Sequence, residues 1–525
     1  MKKLVRAAGF AALSFSTVVT LAALPGRLAA QDVTLRSTDG AVELSGTLLS
    51  FDGEFYRLDT VYGELTVDGS GVSCEGPGCP SLLDFVAELD ISGAATMGDL
   101  ILPALIEAFA GRQGLEMTQS RVGDTAEFLL TDRESRKLKA RFRLRMTNSD
   151  EGFADLIADE ADIAMTVREI TQEEARHGAE AGLGDLKARG RVRVLSLDAL
   201  VAVVAPGNPV QAISTPQLAD VFGGKIRNWS ELGGPDAPIT LHLRDAGSGL
   251  GQAAEAKVLA PAKLKLAGSA IRHRGDAALS AAVMRDPFGI GLASYAARSD
   301  LQVLNLTGAC GFTLAPTRRT IKTEDYPLTA PMFLYLPARR LPKLAREFLS
   351  FTRSSSGQLV IRRAGFVDQQ PEEIVIGDQG DRLSNAIRGA GEDVALDTLQ
   401  EMVGRLWGMK RLSISFRFEA GSVRLDAQSR SNVEQLARSL EIGRYDGREL
   451  LFVGFSDGQG PAAGNKTISE RRARRAMEAV LAAAETANRE RLKVSSVGFG
   501  EALPMACDDS EWGRQVNRRV EVWLR

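Results

Sequence analysis

The sequence predicts a multidomain protein with a small all-β N-terminal module, a larger α/β middle domain and an α+β C-terminal domain. Three observations support this fold class. The 525 residues are too many for one hydrophobic core, because domains average about 150 residues. Short β-type segments dominate the first part of the chain, helices alternate with apolar strands after Leu83, and a new α+β pattern begins at Lys410.

The composition disfavours several functional classes. A formal net charge of −3 argues against a nucleic-acid-binding protein, which is normally basic. The three histidines, His177, His242 and His273, lie far apart in the sequence, and the four cysteines have no zinc-like spacing. We therefore expect no metal, no other cofactor and no nucleic-acid partner.

Residues 1–30 have the build of a secretory signal peptide. Lys2, Lys3 and Arg6 precede an apolar run over residues 7–24, and small residues follow it. A retained membrane anchor is the alternative, since the run is about long enough to span a bilayer. Export would place the mature protein in an oxidising compartment.

Residues 31–86 are expected to form a small β-barrel or meander. Asp39-Gly40 and Asp52-Gly53 lie between β-type segments and suit the tight turns of hairpins. Nothing in this module suggests chemistry, and its role stays open.

The four cysteines are expected to behave differently. Cys74 and Cys79 flank a turn-forming tetrapeptide, so we expect a disulfide between them in an oxidising compartment. Cys310 and Cys507 lie in different parts of the chain. Their pairing is open, and burial as free thiols is the favoured interpretation.

The predicted middle domain, residues 87–369, alternates helices with short apolar strands, for example at residues 192–195 and 199–204. Three of its loops each precede a helix and are candidate anion sites. They are residues 92–100, 149–152 and 244–251. Small residues let the backbone approach a ligand, and a helix N-terminus presents unpaired N–H groups with partial positive charge. Arg244 adds a fork of donors that suits a tetrahedral anion.

The middle domain resembles the phosphate-type periplasmic substrate-binding proteins of ABC transporters. The segments that carry the resemblance, in chain order, are residues 162–168, 221–230, 247–249, 289–291 and 326–328. The resemblance implies a two-lobed α/β periplasmic-binding-protein fold that closes around phosphate, with an ABC transporter permease as a partner. The ligand contacts that it implies are Ala95, Thr96, Ser149, Asp162, Arg244, Ser248 and Gly249. Within it, Asp162 would accept the proton of hydrogen phosphate and so discriminate against sulfate; a structural cap or loop hydrogen bond is the alternative.

One departure from the family pattern weakens the assignment of phosphate. Leu250 stands where the family has a threonine after Gly-Ser-Gly, so one hydroxyl donor is missing. Such a loss costs about 1.5–3 kcal/mol, equivalent to as much as a hundredfold in affinity. The ligand is therefore expected to be a small oxyanion, with phosphate favoured.

Residues 370–409 are expected to be a linker with one helix at about residues 396–406, and residues 410–525 a separate domain. In that domain a predicted strand ends near Gly454, Asp457 follows it, and a helix is expected to start near Ser469 as its N-cap.

The spacing of residues 454–473 and 498–521 resembles the OmpA-like peptidoglycan-binding domain. The resemblance implies that Asp457, Asn465 and Arg472 bind the stem peptide, with Asp457 holding the ammonium and Arg472 the carboxylate of meso-diaminopimelate. A surface ion pair is the alternative. Phe455 replaces the family's histidine, which removes a polar group near the site.

Together these features predict a periplasmic binding protein, not an enzyme, that captures a small oxyanion while anchored non-covalently to peptidoglycan, associated with the cell outer membrane. The chief alternative is a wall-bound sensor or scaffold whose binding domain no longer serves phosphate transport. A hydrolase using Ser248 and His242 is a third, weaker interpretation.

Overall fold

The computed structural model describes residues 32–81, 85–390, 394–419 and 421–525. The predicted signal peptide lies outside these residues. Within them, no helix has the length and apolar character needed to cross a membrane. The chain divides into two compact units, one ending at Ser81 and the other starting at Leu82.

The first unit is a five-stranded antiparallel sheet in the order β4-β3-β2-β1-β5. Its small core contains Val33, Leu35, Tyr56 and Leu58. The expected disulfide between Cys74 and Cys79 is present, with 5.7 Å between the Cα atoms. The strands are β1 (Asp32–Ser37), β2 (Glu43–Phe51), β3 (Phe55–Thr60), β4 (Gly63–Asp68) and β5 (Val72–Glu75).

The middle domain is built on an eleven-stranded mixed sheet with helices on its faces. Its elements up to the first crossing between lobes are β6 (Ala87–Ala94), α1 (Leu102–Arg112), β7 (Leu115–Val122), β8 (Thr125–Asp132), β9 (Leu138–Thr147), α2 (Ser149–Ile157), β10 (Ile163–Thr166), α3 (Gln172–Glu180) and β11 (Val192–Val204). The second lobe contains β12 (Ala212–Ser214), α4 (Thr215–Phe222), β13 (Thr240–Arg244), α5 (Gly249–Ala254), β14 (Ile271–His273), α6 (Asp276–Arg285), β15 (Gly289–Ser294), β16 (Gln302–Val303), β17 (Asn305–Thr307), β18 (Thr313–Leu314) and α7 (Arg318–Lys322). The chain then returns through β19 (Thr329–Tyr335), α8 (Lys343–Arg353) and α9 (Ser355–Arg363).

One long strand joins the two lobes. Residues 192–195 and 199–204, expected as two strands, belong to the single strand β11, which has an irregularity between Val194 and Ser196. Its first part pairs with β19 and its last part, from Leu200, pairs with β15. One buried cluster fills the first lobe around β6 and α1, and a second fills the second lobe and extends to α2 through Phe153 and Leu156. Strands β11 and β19 contribute residues to both clusters.

The region expected to be a linker is part of the C-terminal fold. It contains β20 (Glu373–Ile374) and two α-helices instead of one, α10 (Arg382–Gly389) and α11 (Leu396–Leu406). The next elements are β21 (Lys410–Phe416), α12 (Ala427–Glu441), β22 (Glu449–Phe455), α13 (Ala462–Ala483), β23 (Lys493–Gly498), α14 (Glu511–Asn517) and β24 (Arg519–Leu524). The sheet order is β20-β21-β24-β22-β23, with α12 and α13 packed in one buried cluster and α11 in another.

The C-terminal domain contacts both lobes of the middle domain. Trp512 enters the core of the second lobe, and its indole N–H donates to the Lys257 carbonyl at 2.6 Å. On the first lobe, the Glu169 carboxylate accepts from the Ala427 N–H at 2.9 Å. Arg411 and Asp325 form a buried ion pair across the same junction at 2.6 Å.

The interpretation that Cys310 and Cys507 are free buried thiols is wrong. They form a disulfide with 5.6 Å between the Cα atoms, and no free cysteine occurs among the described residues. The two cysteines are 197 residues apart, and their pairing depends on how the two domains dock. The sequence alone therefore could not predict it.

Candidate functional site

The cleft loops of the two lobes meet at the ends of three strands. A helical segment starts at Ala95 directly after β6, α2 starts at Ser149 after its N-cap Asn148, and α5 starts at Gly249 after its N-cap Ser248. A Cβ atom at Gly249 would lie 3.2 Å from Cγ2 of Val167 and 3.5 Å from Cβ of Ala94. Only glycine therefore allows this close approach between the lobes without a neighbour moving.

Ser149 and Gly249 line a cavity of about 630 Å³ between the lobes. The buried Ser149 hydroxyl oxygen accepts from the Val167 N–H at 3.1 Å, which leaves its proton free to donate. Ala95 and Thr96 begin the helical segment that leads into α1, beside Ala94. These residues can offer hydroxyl and backbone N–H donors to one small anion.

Arg244 is engaged within its own lobe. Its Nε donates to the His273 carbonyl at 3.2 Å, its guanidinium is paired with Asp276, and Nη2 donates to the Arg274 carbonyl at 2.8 Å. The side chain is buried and ties the end of β13 to the connection between β14 and α6. Ser248 itself caps α5, since its hydroxyl accepts from the Gly251 N–H at 3.0 Å.

Asp162 lies at the opposite edge of the sheet. Strands β6 and β10 are parallel, and Asp162 sits before β10, next to Asp90. Its carboxylate accepts from the Asp90 N–H at 2.9 Å and pairs with Arg339 at 2.8 Å. Burial raises the pKa of Asp162, partly offset by these two contacts. Asp90 is four residues from Ala94, or about 13 Å along the strand.

The cationic groups that line the cavity are Arg168, Lys257 and Lys265. Arg168 pairs with Asp150 at 2.5 Å and Glu174 at 2.6 Å; burial would lower its pKa, but these carboxylates raise it. The Lys257 ammonium donates to the Thr329 carbonyl at 3.1 Å. The sequence analysis assigned no role to these three residues. Arg168 could have been found, because it is the last residue of the matched segment 162–168, whereas no sequence motif surrounds Lys257.

His242 and His273 come together although they are far apart in the sequence. Nδ1 of His242 lies 3.0 Å from Nε2 of His273, and its Nε2 lies 3.3 Å from Asp286. The Ser248 hydroxyl donates to the Asp245 carbonyl instead of to His242. No cluster of three or more His, Cys, Asp or Glu in the described segments is arranged to hold a metal.

The second candidate site lies where β22 and α13 face each other. Asp457 follows β22 and pairs with Arg518 at 2.6 Å, and Arg518 also pairs with Glu511 at 2.5 Å. Burial would lower the pKa of Arg518, but these ion pairs raise it. The sequence analysis gave no role to Arg518, although it lies in the matched stretch that precedes β24.

Arg472 is a buried guanidinium beside this pair. The residue is 8% exposed, and its Nε has no partner. Within the described ranges its side chain forms no hydrogen bond or ion pair. Its guanidinium carbon lies 5.5 Å from the centre of the Phe418 ring. Burial and the nearby Arg518 lower the pKa of Arg472, and Asp457 only partly offsets this. The site therefore presents a buried positive charge without a counter-ion of its own.

Asn465, Ser469 and Phe455, which the sequence analysis also singled out, are all buried in the C-terminal domain. Asn465 is buried in α13, and its amide lies 3.5 Å from Glu501 Oε1. α13 begins at Ala462, so Ser469 is not its N-cap; its hydroxyl accepts from the Gly500 N–H inside the domain at 2.9 Å. Phe455 is buried beneath the Arg519 guanidinium, at 4.5 Å from ring centre to guanidinium carbon.

Residues 94–356 match the PBP superfamily domain, which is half of the chain. The chain belongs to the PBP superfamily. Residues 417–518 match the OmpA family, so this PBP-superfamily protein carries a C-terminal OmpA domain.

Individual proteins are similar to parts of the chain. The phosphate-binding protein PstS of Borreliella burgdorferi is 27% identical over 213 residues, covering 39% of this chain and 71% of the relative. The solved structure of an ABC-type phosphate transport receptor from Vibrio cholerae is 21% identical with a TM-score of 0.41, covering 53% of this chain and 99% of that one. That of the peptidoglycan-associated lipoprotein from Burkholderia pseudomallei is 22% identical with a TM-score of 0.19, covering 21% and 89%. This PBP-superfamily chain is not an enzyme.

Proposed function

We propose that the middle domain binds a small oxyanion, phosphate in the first instance, between its lobes. The observation that supports this is the convergence of Ser149 and Gly249 on one cavity, next to the helical start at Ala95 and Thr96. The relative named as a phosphate-binding protein points to the same ligand class. Arg244 acts in this proposal as a structural residue, because its side chain is fully engaged by His273, Arg274 and Asp276 of its own lobe.

Discrimination between phosphate and sulfate is expected to be weak. Asp162 is held by Asp90 and Arg339 at the far edge of the sheet, and Val167 occupies the cleft end of β10. Asp150 also lines the cavity, but its two oxygens already accept from Arg168 and from Gln252 at 2.7 Å. Glu255, the other carboxylate at this cavity, pairs with Arg272 at 2.8 Å. We therefore expect no carboxylate to be dedicated to a ligand proton.

Calorimetric titration of the full chain tests the anion site. Wild-type protein should bind phosphate, with sulfate competing at similar affinity. Ser149→Ala should weaken binding by about 10- to 150-fold, because a hydrogen bond to a charged group is worth about 1.5–3 kcal/mol. Ser384→Ala, at a partly exposed hydroxyl in α10, is the matched control. Equal phosphate affinity in wild type and Ser149→Ala would contradict the assignment.

We propose that the OmpA domain anchors the protein to peptidoglycan outside the cytoplasm. The unpaired, buried guanidinium of Arg472 supports this, because a ligand carboxylate would supply its missing counter-ion. Asp457 would receive the ammonium of the same zwitterionic group, sharing its carboxylate with Arg518.

Co-sedimentation with purified sacculi tests the anchor. Asp457→Ala and Arg472→Ala should each release the protein into the supernatant, since each removes one charge of the receptor. Arg475→Ala is the control, because Arg475 is an exposed arginine on the same helix. Undiminished co-sedimentation of both site variants would remove these residues from the proposal.

A sensor or scaffold that no longer transports phosphate is the second candidate. The docking of the OmpA domain on both lobes favours it, because the contacts at Glu169 and Trp512 would resist separation of the lobes. Distance measurement between spin labels on the two lobes, with and without phosphate, separates the candidates: a transport receptor should change its lobe distance, and a scaffold should not.

A further inference from the structure

A second cavity lies at the junction of the middle and C-terminal domains, and we name it the junction cavity. Its volume is about 380 Å³, which is in the range of small-molecule sites. Its lining includes Lys257, Glu324, Tyr326, Phe333, Gln428 and Trp512. It exists only because the OmpA domain covers this face of the middle domain.

Three acceptor atoms of the junction cavity have no partner among the described residues. They are Oε1 of Glu324, the hydroxyl oxygen of Tyr326 and Oε1 of Gln428. The exposed fractions of these residues are 8%, 1% and 3%. A buried polar atom without a partner costs free energy, so three in one cavity indicate a missing donor.

One chemical group supplies three donors together. A primary ammonium has three N–H bonds and a positive charge, which a carboxylate and two neutral oxygens can accept. Lys257 provides the complementary feature, because its ammonium gives one bond to the Thr329 carbonyl and keeps further protons. Lys257 and Glu324 make no ion pair with each other within the described ranges. Glu324 Oε2 lies 3.8 Å from Arg417 Nε, whereas its Oε1 has no partner and can accept from a ligand. Phe333 and Trp512 give the cavity apolar walls.

We propose that the junction cavity binds a free α-amino acid with an apolar side chain. The ligand ammonium would bind Glu324, Tyr326 and Gln428, and the ligand carboxylate would bind Lys257. Because Trp512 and Gln428 come from the C-terminal domain, the ligand would contact both domains at once. This site is independent of the anion proposed for the cleft, although Lys257 borders both cavities.

Protonation of Glu324 provides a distinctive signature. Burial raises the pKa of Glu324 to about 8; Arg417 and Lys257 lower it, and Asp426 and Asp325 raise it. Burial lowers the pKa of Lys257. A bound ammonium would stabilise the Glu324 carboxylate, so binding at pH 7 should release a proton and affinity should rise from pH 6 to pH 8.

Calorimetry on the full chain tests the proposal with L-leucine, L-valine and L-phenylalanine. At least one should bind, whereas its N-acetyl and amide derivatives should bind at least tenfold more weakly, because each lacks one charge. The heat should depend on the ionisation enthalpy of the buffer. Absence of saturable binding by all three at millimolar concentration would overturn the proposal.

Variants separate the ligand site from general effects. Glu324→Gln should lower the affinity at least tenfold and remove its pH dependence, whereas Glu478→Gln, the same change at an exposed site on α13, should leave both unchanged. Tyr326→Phe removes a hydroxyl that has no protein partner, so it should fold normally and still weaken binding several-fold. Unaltered affinity in both cavity variants would overturn the proposal, and phosphate titration of the same variants reports on the cleft separately.

Discussion

At the scale of single residues, two buried arginines expected to bind anions differ in how their charge is satisfied. Arg244 has three protein acceptors, including the Asp276 carboxylate. Arg472 has no such partner among the described residues. Burying a guanidinium is costly unless hydrogen bonds and an opposite charge compensate it. The first arginine therefore stabilises its own lobe, and the second keeps binding capacity at the expense of stability.

This difference predicts opposite effects of the same substitution. Arg472→Met should leave the free energy of unfolding unchanged or increase it, because it removes an unpaired buried charge. Arg244→Met should decrease it by about 3–5 kcal/mol, because Asp276 would lose its partner. Chemical denaturation of both variants checks this, and a loss of stability in Arg472→Met as large as that in Arg244→Met would show that Arg472 is satisfied within the fold.

At the scale of elements, α13 approaches the sheet of the C-terminal domain through two glycines. Gly454 of β22 and Gly498 of β23 are directly paired neighbours. A Cβ atom at Gly498 would lie 2.3 Å from the Glu470 nitrogen, and one at Gly454 would lie 2.0 Å from the Ser469 carbonyl oxygen. The helix that carries Asn465 and Arg472 can therefore sit where it does only above glycines.

Gly498→Ala should consequently destabilise the domain by about 1–3 kcal/mol or more, because the backbone of α13 would have to move. Gly404→Ala is the matched control: Gly404 lies in α11 with nothing within 4 Å of an added Cβ. That change should stabilise by about 0.5–1 kcal/mol through helix propensity. Thermal unfolding compares the two, and similar small shifts in both would refute the close approach.

The sequence correctly predicted helices whose apolar residues repeat at helical spacing. Residues 396–406 form α11 as expected, and the apolar residues Leu102, Leu105, Ile106 and Phe109 form the buried face of α1. The start of α13 was missed because Ser469, a good N-cap by type, is buried in the helix and receives the Gly500 N–H. Sequence pattern also could not place Asp162, because a position before or after a strand decides which edge of the sheet it reaches.

At the scale of the whole molecule, the local sequence pattern could not predict features that depend on how the domains dock. The sequence predicted both domains of residues 82–525, but not the disulfide between Cys310 and Cys507 or the entry of Trp512 into the second lobe. Residues 507–512 connect this docking to the candidate peptidoglycan site. Asp508 accepts from the Gly458 N–H at 2.7 Å, and Glu511 holds Arg518. The docking therefore supports the geometry of the candidate site around Asp457 as well as the junction cavity.

The two disulfides should contribute unequally to stability for the same reason. Cys310–Cys507 closes a separation of 197 residues, whereas Cys74–Cys79 closes one of 5, and a longer closed loop restricts the unfolded chain more. Replacing Cys310 and Cys507 by serine should lower the free energy of unfolding by about 2–5 kcal/mol.

All four tryptophans, at positions 229, 407, 512 and 523, lie after Ser81, so tryptophan fluorescence follows only the second unit. The Cys74 and Cys79 double serine variant should leave that transition unchanged under non-reducing conditions. Equal shifts in the two double variants would mean that the bridge between Cys310 and Cys507 does not hold the domains together.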